Sequence, residues 1–449
     1  MKYNVIVAGG GAAGIAAALA AARAGASTLL VERYGFVGGM LTAGLVAHYD
    51  PIKQIEASGI ARELYDRLAE RGAVKEFDME GVEMPFRFWQ GGCGIDAEEF
   101  KNVALDLLLS SKVDLLFHSW VGKTRVRGGR VMGIIACNKS GEQRFDADVV
   151  VDATGDADVA CQAGVPFDMA TREEGGCMSS TLCFNIGGVR MEQLYGYLEE
   201  NPGELGMHPR QGKYIRDARK TSIVQGFYSL IREARQAGDL TIPLPESGVG
   251  MVVLPLEGSF HVNAIRLPGM NPVDAGDLTK LEIVERRYLQ EIFSFIKKYI
   301  PGCRDAFVMQ SATQIGVRES RRIRGEYTLT IDDIKSGTHF PDAVVRTKWG
   351  HTDVHSGKDM GWSFEFIEGP YYIPYRCLVP LRAENLLVAG RSISATRQAM
   401  ASIRIMPVCS AIGEAAGTAA ALSASGGKTP RDLDPGLLRE TLKSQGVLL

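Results

Sequence analysis

The sequence predicts an α/β chain in which a parallel sheet carrying a β-meander is interrupted by an α+β segment. Three stretches predict it. The chain opens "VIVAGGGAAGIAAALAAARAGASTLLVE", an apolar strand, a glycine turn, an alanine-rich helix and a second strand. A run of short strands with turn signals at Gly128-Gly129 and Ser140-Gly141 then leads into "DVVVDATG". Near the C-terminus an apolar strand ends in Gly390-Arg391, "NLLVAGR", as though the first sheet were being rejoined.

The elements follow in order. Asn4–Ala8, Gly11–Ala24 and Ser27–Glu32 read as strand, helix and strand, one βαβ unit. A glycine-laden loop, "GFVGGMLTAG", comes next. Helical periodicity returns in "GIARELYDRLAERG" and in "DAEEFKNVALDLLLSS", where Asp96 is a cap with acidic residues behind it. The β-meander ends on the buried strand Val149–Asp152. The middle, from about Pro166 to Tyr375, mixes a long helix (Lys280–Ile300) with strands in "GSFHVNAIRL" and "RGEYTLT". The end reads as strand, Gly-Arg turn, irregular crossing and a helix from about Pro407 to Ser423, with proline at its favoured first position. The expected division is 1–165 and 376–449 in one nucleotide-binding domain, with 166–375 as an inserted substrate domain.

Bulk composition excludes several classes. Lys+Arg 50 against Asp+Glu 53 gives a net charge of −3, without the basic excess that phosphate backbones attract, so nucleic acid is not an expected partner. The eight cysteines are scattered and none forms C-x-x-C, so neither a disulfide scaffold, a redox dithiol nor a metal site is expected. Lys2 followed by an uncharged stretch imitates a secretion signal, but the stretch is alanine and glycine around a glycine cluster. Arg23 and a second strand follow it. A cytoplasmic chain that neither crosses nor anchors to a membrane is the expectation.

Gly9-x-Gly11-x-x-Gly14, with Ala12 and Ala13 between, lies where a strand meets a helix, and Glu32 closes the next strand. Gly9 permits the tight turn, Gly11 lets backbone approach a pyrophosphate, and Gly14 lets the helix pack close to the sheet. The helix N-terminus offers free N–H groups to the anion, and Glu32 is placed to accept from a ribose diol. Arg33 beside it tempers the inference that a 2′-phosphate is excluded. A nicotinamide dehydrogenase would continue with further βα units; this chain instead inserts a glycine loop and a meander, and adds a distant Gly390-Arg391. One long dinucleotide held at both ends, FAD, fits that layout.

These stretches resemble the FAD-dependent oxidoreductase family of the glutathione-reductase-2 class, with a distant similarity to fumarate reductase and aspartate oxidase flavoproteins. The likeness is carried by the N-terminal βαβ run and by "GFVGGMLT", "ADVVVDATGDADVA", "IGVRESRRIRGEYTLT", "IPYRCLVP" and "NLLVAGRSISATRQAMASIRIMPVCSAIGEAAGTAAAL". The resemblance implies a Rossmann-type FAD-binding domain. It implies that Arg33 and the Val121 backbone lie against the adenosine. It runs Gly38, Gly39 and Met40 along the ribityl chain and flavin edge, sets Gly155 near the pyrophosphate and makes Gly390-Arg391 a hold on ribityl and phosphate. Arg404, Ile405 and Met406 match the segment facing the flavin pyrimidine edge. Relatives that tether flavin covalently use a Ser-His-Thr run; "GGMLTAG" stands here, so non-covalent FAD is expected. There is no second G-x-G-x-x-G for a built-in nicotinamide domain.

For the chemistry, the middle segment supplies candidates. His351 and His355 are read in a glycine-flanked loop leading to the flavin, and His355 is the first choice of base. In "FHVNAIRL", read as a strand, His261 and Asn263 share a face and Arg266 points to the other; His261 is the second choice. Arg318, in a cluster with Glu319, Arg321 and Arg322, would position a substrate. The reading is a soluble oxidoreductase moving a hydride from a C–H bearing oxygen or nitrogen of a small polar molecule to flavin N5. Two alternatives stand beside it: a reductase of an activated C=C, and a flavoprotein fold kept only as a binding scaffold. Oxygen, a nicotinamide, a quinone and a partner protein all fit as electron acceptor, and a homodimer is the default assembly.

Overall fold

The computed structural model describes residues 1–49, 52–53, 55–77, 93–171, 173–206, 218–245 and 247–449; parts of the expected 166–375 segment therefore lie outside the described residues. Its chain begins with β1 (Lys2–Ala8), α1 (Ala12–Arg23) and β2 (Thr28–Val31), close to the expected βαβ unit. Then come α2 (Gly59–Glu70) and α3 (Ala97–Ser110), the latter capped by Asp96, whose carboxylate accepts from Glu98 N and Glu99 N. β3 (Asp114–Leu116) leads into the meander β4 (Trp120–Arg127), β5 (Arg130–Asn138) and β6 (Gly141–Asp152), followed by the short α4 (Asp158–Gln162).

These strands form one seven-stranded sheet in the order β3-β2-β1-β6-β5-β4, with the late strand β14 (Leu386–Val388) also joined to β6. Opposite its β1 edge, β6 is long enough to serve two neighbours in succession. Its first half pairs antiparallel with β5, and its last residues pair parallel with β14, Val150 opposite Leu386 and Asp152 opposite Val388. β1 and β6 run parallel, Val5 against Val149 and Ala8 against Asp152, so their ends and the glycine turns after them fall side by side. Strand alternation sorts the core into two faces. Val5, Val7, Val149 and Val151 pack toward α1, while Ile6, Ala8 and Val150 pack with Ile134, Phe145 and Val159.

A second sheet is antiparallel and five-stranded. It contains β7 (Phe184–Gly187), β8 (Ile223–Gly226), β9 (Val249–Val253), β10 (Phe260–Val262) and β11 (Phe307–Ser311), in the order β8-β9-β10-β7-β11. α5 (Ala275–Tyr299) lies between β10 and β11 in the chain, capped by Asp274. A hairpin of β12 (His351–His355) and β13 (Trp362–Phe366) follows. After β14 come α6 (Arg397–Ile403), where an irregular crossing was expected, and α7 (Met406–Gly426), which carries Pro407 in its first turn.

α7 and α1 are built from small residues and press together. A Cβ at Gly413 would sit 2.0 Å from the Ala13 carbonyl oxygen, and one at Gly417 2.1 Å from that of Ala17. That approach puts the N-terminus of α7 next to the first glycine turn, although the two are the chain's opposite ends. Among the described residues no single helix is long and apolar enough to cross a membrane; α6 and α7 reach that length together only across a 95° bend.

Two readings of local structure are corrected. "RGEYTLT" is not a strand; it makes single bridges, Gly325 to Pro380 and Leu329 to Ala395, because its partners are irregular. His351 and His355 stand on a strand, not a loop, since Trp362–Phe366 supplies the edge that pairs with it.

Candidate active site

The glycine turns of the two chain ends converge at the ends of β1, β6 and β14. Gly9 takes φ +97°, and a Cβ there would meet the Ala153 carbonyl oxygen at 2.6 Å; a Cβ on Gly14 would meet the Gly9 carbonyl oxygen at 1.8 Å. Gly11 is different: the nearest atom to an added Cβ is Gly39 Cα at 3.9 Å, so its surface is open. Gly38 N donates to the Gly10 carbonyl at 2.8 Å, which lays the Gly38-Gly39-Met40 loop beside the first turn. A Cβ on Gly390 would touch Ala13 Cβ at 3.2 Å, and one on Gly155 would lie 3.3 Å from Arg391 Nη2. Gly9, Gly11, Ala12, Ala13, Gly14, Gly38, Gly39, Gly155, Gly390 and Arg391 thus belong to one cluster.

Polar groups brace it. Glu32 Oε2 accepts from Gly10 N at 2.7 Å and Oε1 from Tyr34 N at 3.0 Å, so this nearly buried carboxylate ties the turn to β2 with its remaining lone pairs available. Arg391 Nη1 donates to the Val317 carbonyl and Nη2 to Asp156, each at 2.6 Å, while its buried Nε has no partner. Asp152, at the end of β6, accepts from Ala160 N and from Thr154; burial pushes its carboxyl up to about 6. Arg33 is exposed and engages Gln314. Val121 lies in β4, two residues past Ser119, whose N–H donates to the Glu32 carbonyl at 3.0 Å.

From this cluster a cavity of about 300 Å³ opens toward the second sheet and the hairpin. Its lining combines Met40, Arg391, Arg404, Ile405 and Met406 with Thr181, His261, Asn263, Arg266, Arg318, His351, Asp353 and His355. A larger cleft of about 810 Å³ at α2 is an open surface groove of ion-paired residues such as Arg23 and Glu63, away from the glycine turns.

Strand period explains the hairpin's contribution. In β12 the residues His351, Asp353 and His355 alternate with Thr352 and Val354, so all three share one face. Asp353 Oδ2 lies 2.9 Å from His355 Nε2 and 3.2 Å from Arg404 Nη2. Burial by itself would raise the Asp353 carboxyl; the hydrogen bond from the neutral His355 and the Arg404 and Arg266 guanidiniums outweigh it and hold it well below the carboxylate range. An ionised carboxylate only accepts, so Nε2 of His355 carries the proton. Its Nδ1 is buried without a partner. Burial, with Arg318 and Arg266 adding to it, also lowers the His355 pKa, so the ring is neutral at pH 7 and Nδ1 holds a lone pair.

The other candidates differ. His261 Nδ1 lies 3.2 Å from Asn185 Oδ1, across the β7–β10 pair, and burial with His48 nearby takes its pKa down to about 3. Arg266 lines the same cavity as His261 and Asn263, against the expectation of opposite faces: β10 ends at Val262, and strand alternation no longer governs residues beyond it. Arg318 donates from Nη1 to the Ser179 carbonyl at 2.7 Å; burial, then Arg266 and Arg404, lower its pKa to about 10. The rest of the arginine cluster is structural. Glu319 is fully buried, hydrogen-bonded by Arg322 at 2.6 Å and ion-paired with Arg397 at 2.9 Å, and Arg321 holds Asp158 at 2.8 Å. Asp353 escaped the sequence reading, though H-T-D-V-H, with polar groups at period two, carried the signal.

A family model described as FAD dependent oxidoreductase matches residues 4–442. Thiamine thiazole synthase from Methanococcus aeolicus is 28% identical over 171 residues, 36% of this chain and 58% of that protein, so the chain spans little more than half of that relative. Among solved structures, a geranylgeranyl bacteriochlorophyll reductase-like protein from Thermoplasma acidophilum aligns with a TM-score of 0.52 at 14% identity, over 99% of this chain and 84% of that one. A triple mutant of a flavin-dependent brominase gives 0.50 at 11% identity, over 98% and 84%. Likeness at these identities establishes the fold.

Proposed function

The chain belongs to the FAD dependent oxidoreductase family, and we propose that within it this enzyme oxidises a C–H bearing oxygen or nitrogen in a small polar organic substrate. The open surface at Gly11 and the unpartnered Nε of Arg391 fit a dinucleotide. Gly9 to Gly14, Glu32, Gly38 to Met40, Gly155, Gly390-Arg391 and Arg404 to Met406 would hold FAD, without a covalent link. Bound FAD supplies the acceptor for a hydride equivalent.

The observation that carries the reading is the Asp353–His355 pair. Asp353 fixes the imidazole tautomer, and the free Nδ1 of His355 takes the proton from the substrate's O–H or N–H as the C–H electrons leave. The balance is one hydride equivalent and one proton lost, leaving C=O or C=N. Arg318, held at Ser179, positions the substrate, and the aromatic side chains of Trp349, Trp362 and Phe364 line the cavity beside it. The segment 166–375 then acts as the substrate domain.

The test is anaerobic reduction of the bound flavin by candidate alcohols and amines, seen as bleaching of its visible band. His355→Gln is expected to slow it about 10²–10⁴-fold; an unchanged rate removes His355 from the mechanism. A second reading, hydride delivery to an activated C=C, is favoured by Arg318 and Arg266 in the cavity lining. Anaerobic reoxidation of the dithionite-reduced enzyme by unsaturated acids would select it.

A further inference from the structure

The cavity holds more positive charge than its own carboxylates balance. Arg404 shares Asp353, and Arg391 is paired with Asp156 outside the cavity lining. Arg266 and Arg318 form no ion pair among the described residues. Arg266 leaves Nε and Nη1 buried and unpartnered, with its guanidinium carbon 5.7 Å from the Trp362 ring centre. Arg318 commits one nitrogen to the Ser179 carbonyl.

The neighbouring groups do not make up the deficit. Glu285 on α5 is fully buried and accepts from the Ser180 hydroxyl at 2.7 Å; burial pushes its carboxyl up to about 8, so at pH 7 it is neutral. His351 is driven down to about 4 and is neutral too, which adds no charge but subtracts none. Asp353 is the one carboxylate among the described lining residues, so the arginines share too little negative charge, and one further anionic partner would balance Arg266 and Arg318 together.

We propose that the cavity takes a small organic carboxylate, whose carboxylate group is held by Arg266 and Arg318. This rests on the cavity being the substrate site. The planar guanidinium fork matches a carboxylate bidentately. The aromatic side chains of Trp349, Trp362 and Phe364 suit the carbon skeleton that a bare inorganic anion lacks. The substrate is thus a hydroxy or amino acid rather than a simple alcohol or amine.

The test is equilibrium binding to the FAD-loaded enzyme, read from perturbation of the flavin absorption and from the thermal midpoint. Malonate, succinate and benzoate are titrated beside their neutral amides and beside inorganic phosphate. At least one acid is expected to bind about tenfold or more tighter than its amide and than phosphate. Arg266→Gln and Arg318→Gln are each expected to weaken that acid about 10- to 100-fold while moving the amide less, and Arg266→Lys to recover part. Acids binding no better than amides, no acid binding, or phosphate binding tightest would each overturn the proposal, even should a variant fail to fold. Acid binding with no flavin reduction by lactate, alanine or their homologues leaves the carboxylate site standing and sinks the oxidation reading. Reduction by neutral alcohols without acid binding does the reverse.

Discussion

Adding one methyl group at Gly11 separates cofactor binding from folding. Gly11 is the N-cap of α1 with φ −75° and ψ −173°, a conformation alanine adopts freely, and its added Cβ meets nothing closer than Gly39 Cα at 3.9 Å. Losing glycine at an N-cap costs up to about 1 kcal/mol, and restricting the unfolded chain returns about 0.4–1 kcal/mol. The apo-protein Gly11→Ala should therefore melt within about 2 °C of the parent. If the pyrophosphate lies on that surface, the methyl overpacks it by about 1–3 kcal/mol, weakening FAD about 5- to 150-fold. The assay is FAD titration of apo-protein by flavin fluorescence, beside thermal unfolding without FAD. Gly14→Ala is the contrast: its Cβ would lie 1.8 Å from the Gly9 carbonyl oxygen, and loss of folded protein is expected. Parent-like FAD affinity in a folded Gly11→Ala protein would refute the placement.

Asp353→Asn keeps the strand but removes the carboxylate that sets the His355 tautomer; stopped-flow reduction of the FAD-saturated enzyme should slow about 10²-fold or more, and a parent-like rate argues against the pair. Glu414 on α7 accepts from Ile60 N, and burial raises its carboxyl to about 7, above its ordinary 4.5. The folded state keeps a proton that the unfolded chain has lost, so this group's contribution declines as pH rises from about 4.5 through 7, by about 3 kcal/mol in all. Glu414→Gln should gain on the parent between pH 5 and pH 8 in urea unfolding; a pH-independent difference contradicts it. Gly417→Ala drives a methyl to 2.1 Å from the Ala17 carbonyl oxygen, and should lower the thermal midpoint by several degrees through forced separation of α1 and α7.

Local chemistry was legible in the sequence wherever the deciding partners lie within a few residues. The strand–glycine–helix opening, the Asp96 cap and Pro407 in the first turn of α7 each depend on a φ angle or a hydrogen bond to a near neighbour. The same is true of Gly14, whose missing side chain makes room for the Gly9 carbonyl within one turn. Distant pairing was another matter. "RGEYTLT" has strand propensity but no continuous edge to join, whereas the loop-like "HTDVH" became a strand because "WSFEF" folds back on it. Arg266 entered the cavity because its strand stops four residues earlier. The order and spacing of its motifs pointed to the ligand that the chain's two glycine ends could share and to side chains that could do chemistry near it. Tertiary structure decided which of those side chains meet, and which are charged when they do. Asp353 stays ionised because Arg404 and Arg266 are brought to it against the effect of burial, and Glu285 is neutral behind Ser180 because of burial; both are properties of the packed chain rather than of any stretch of it.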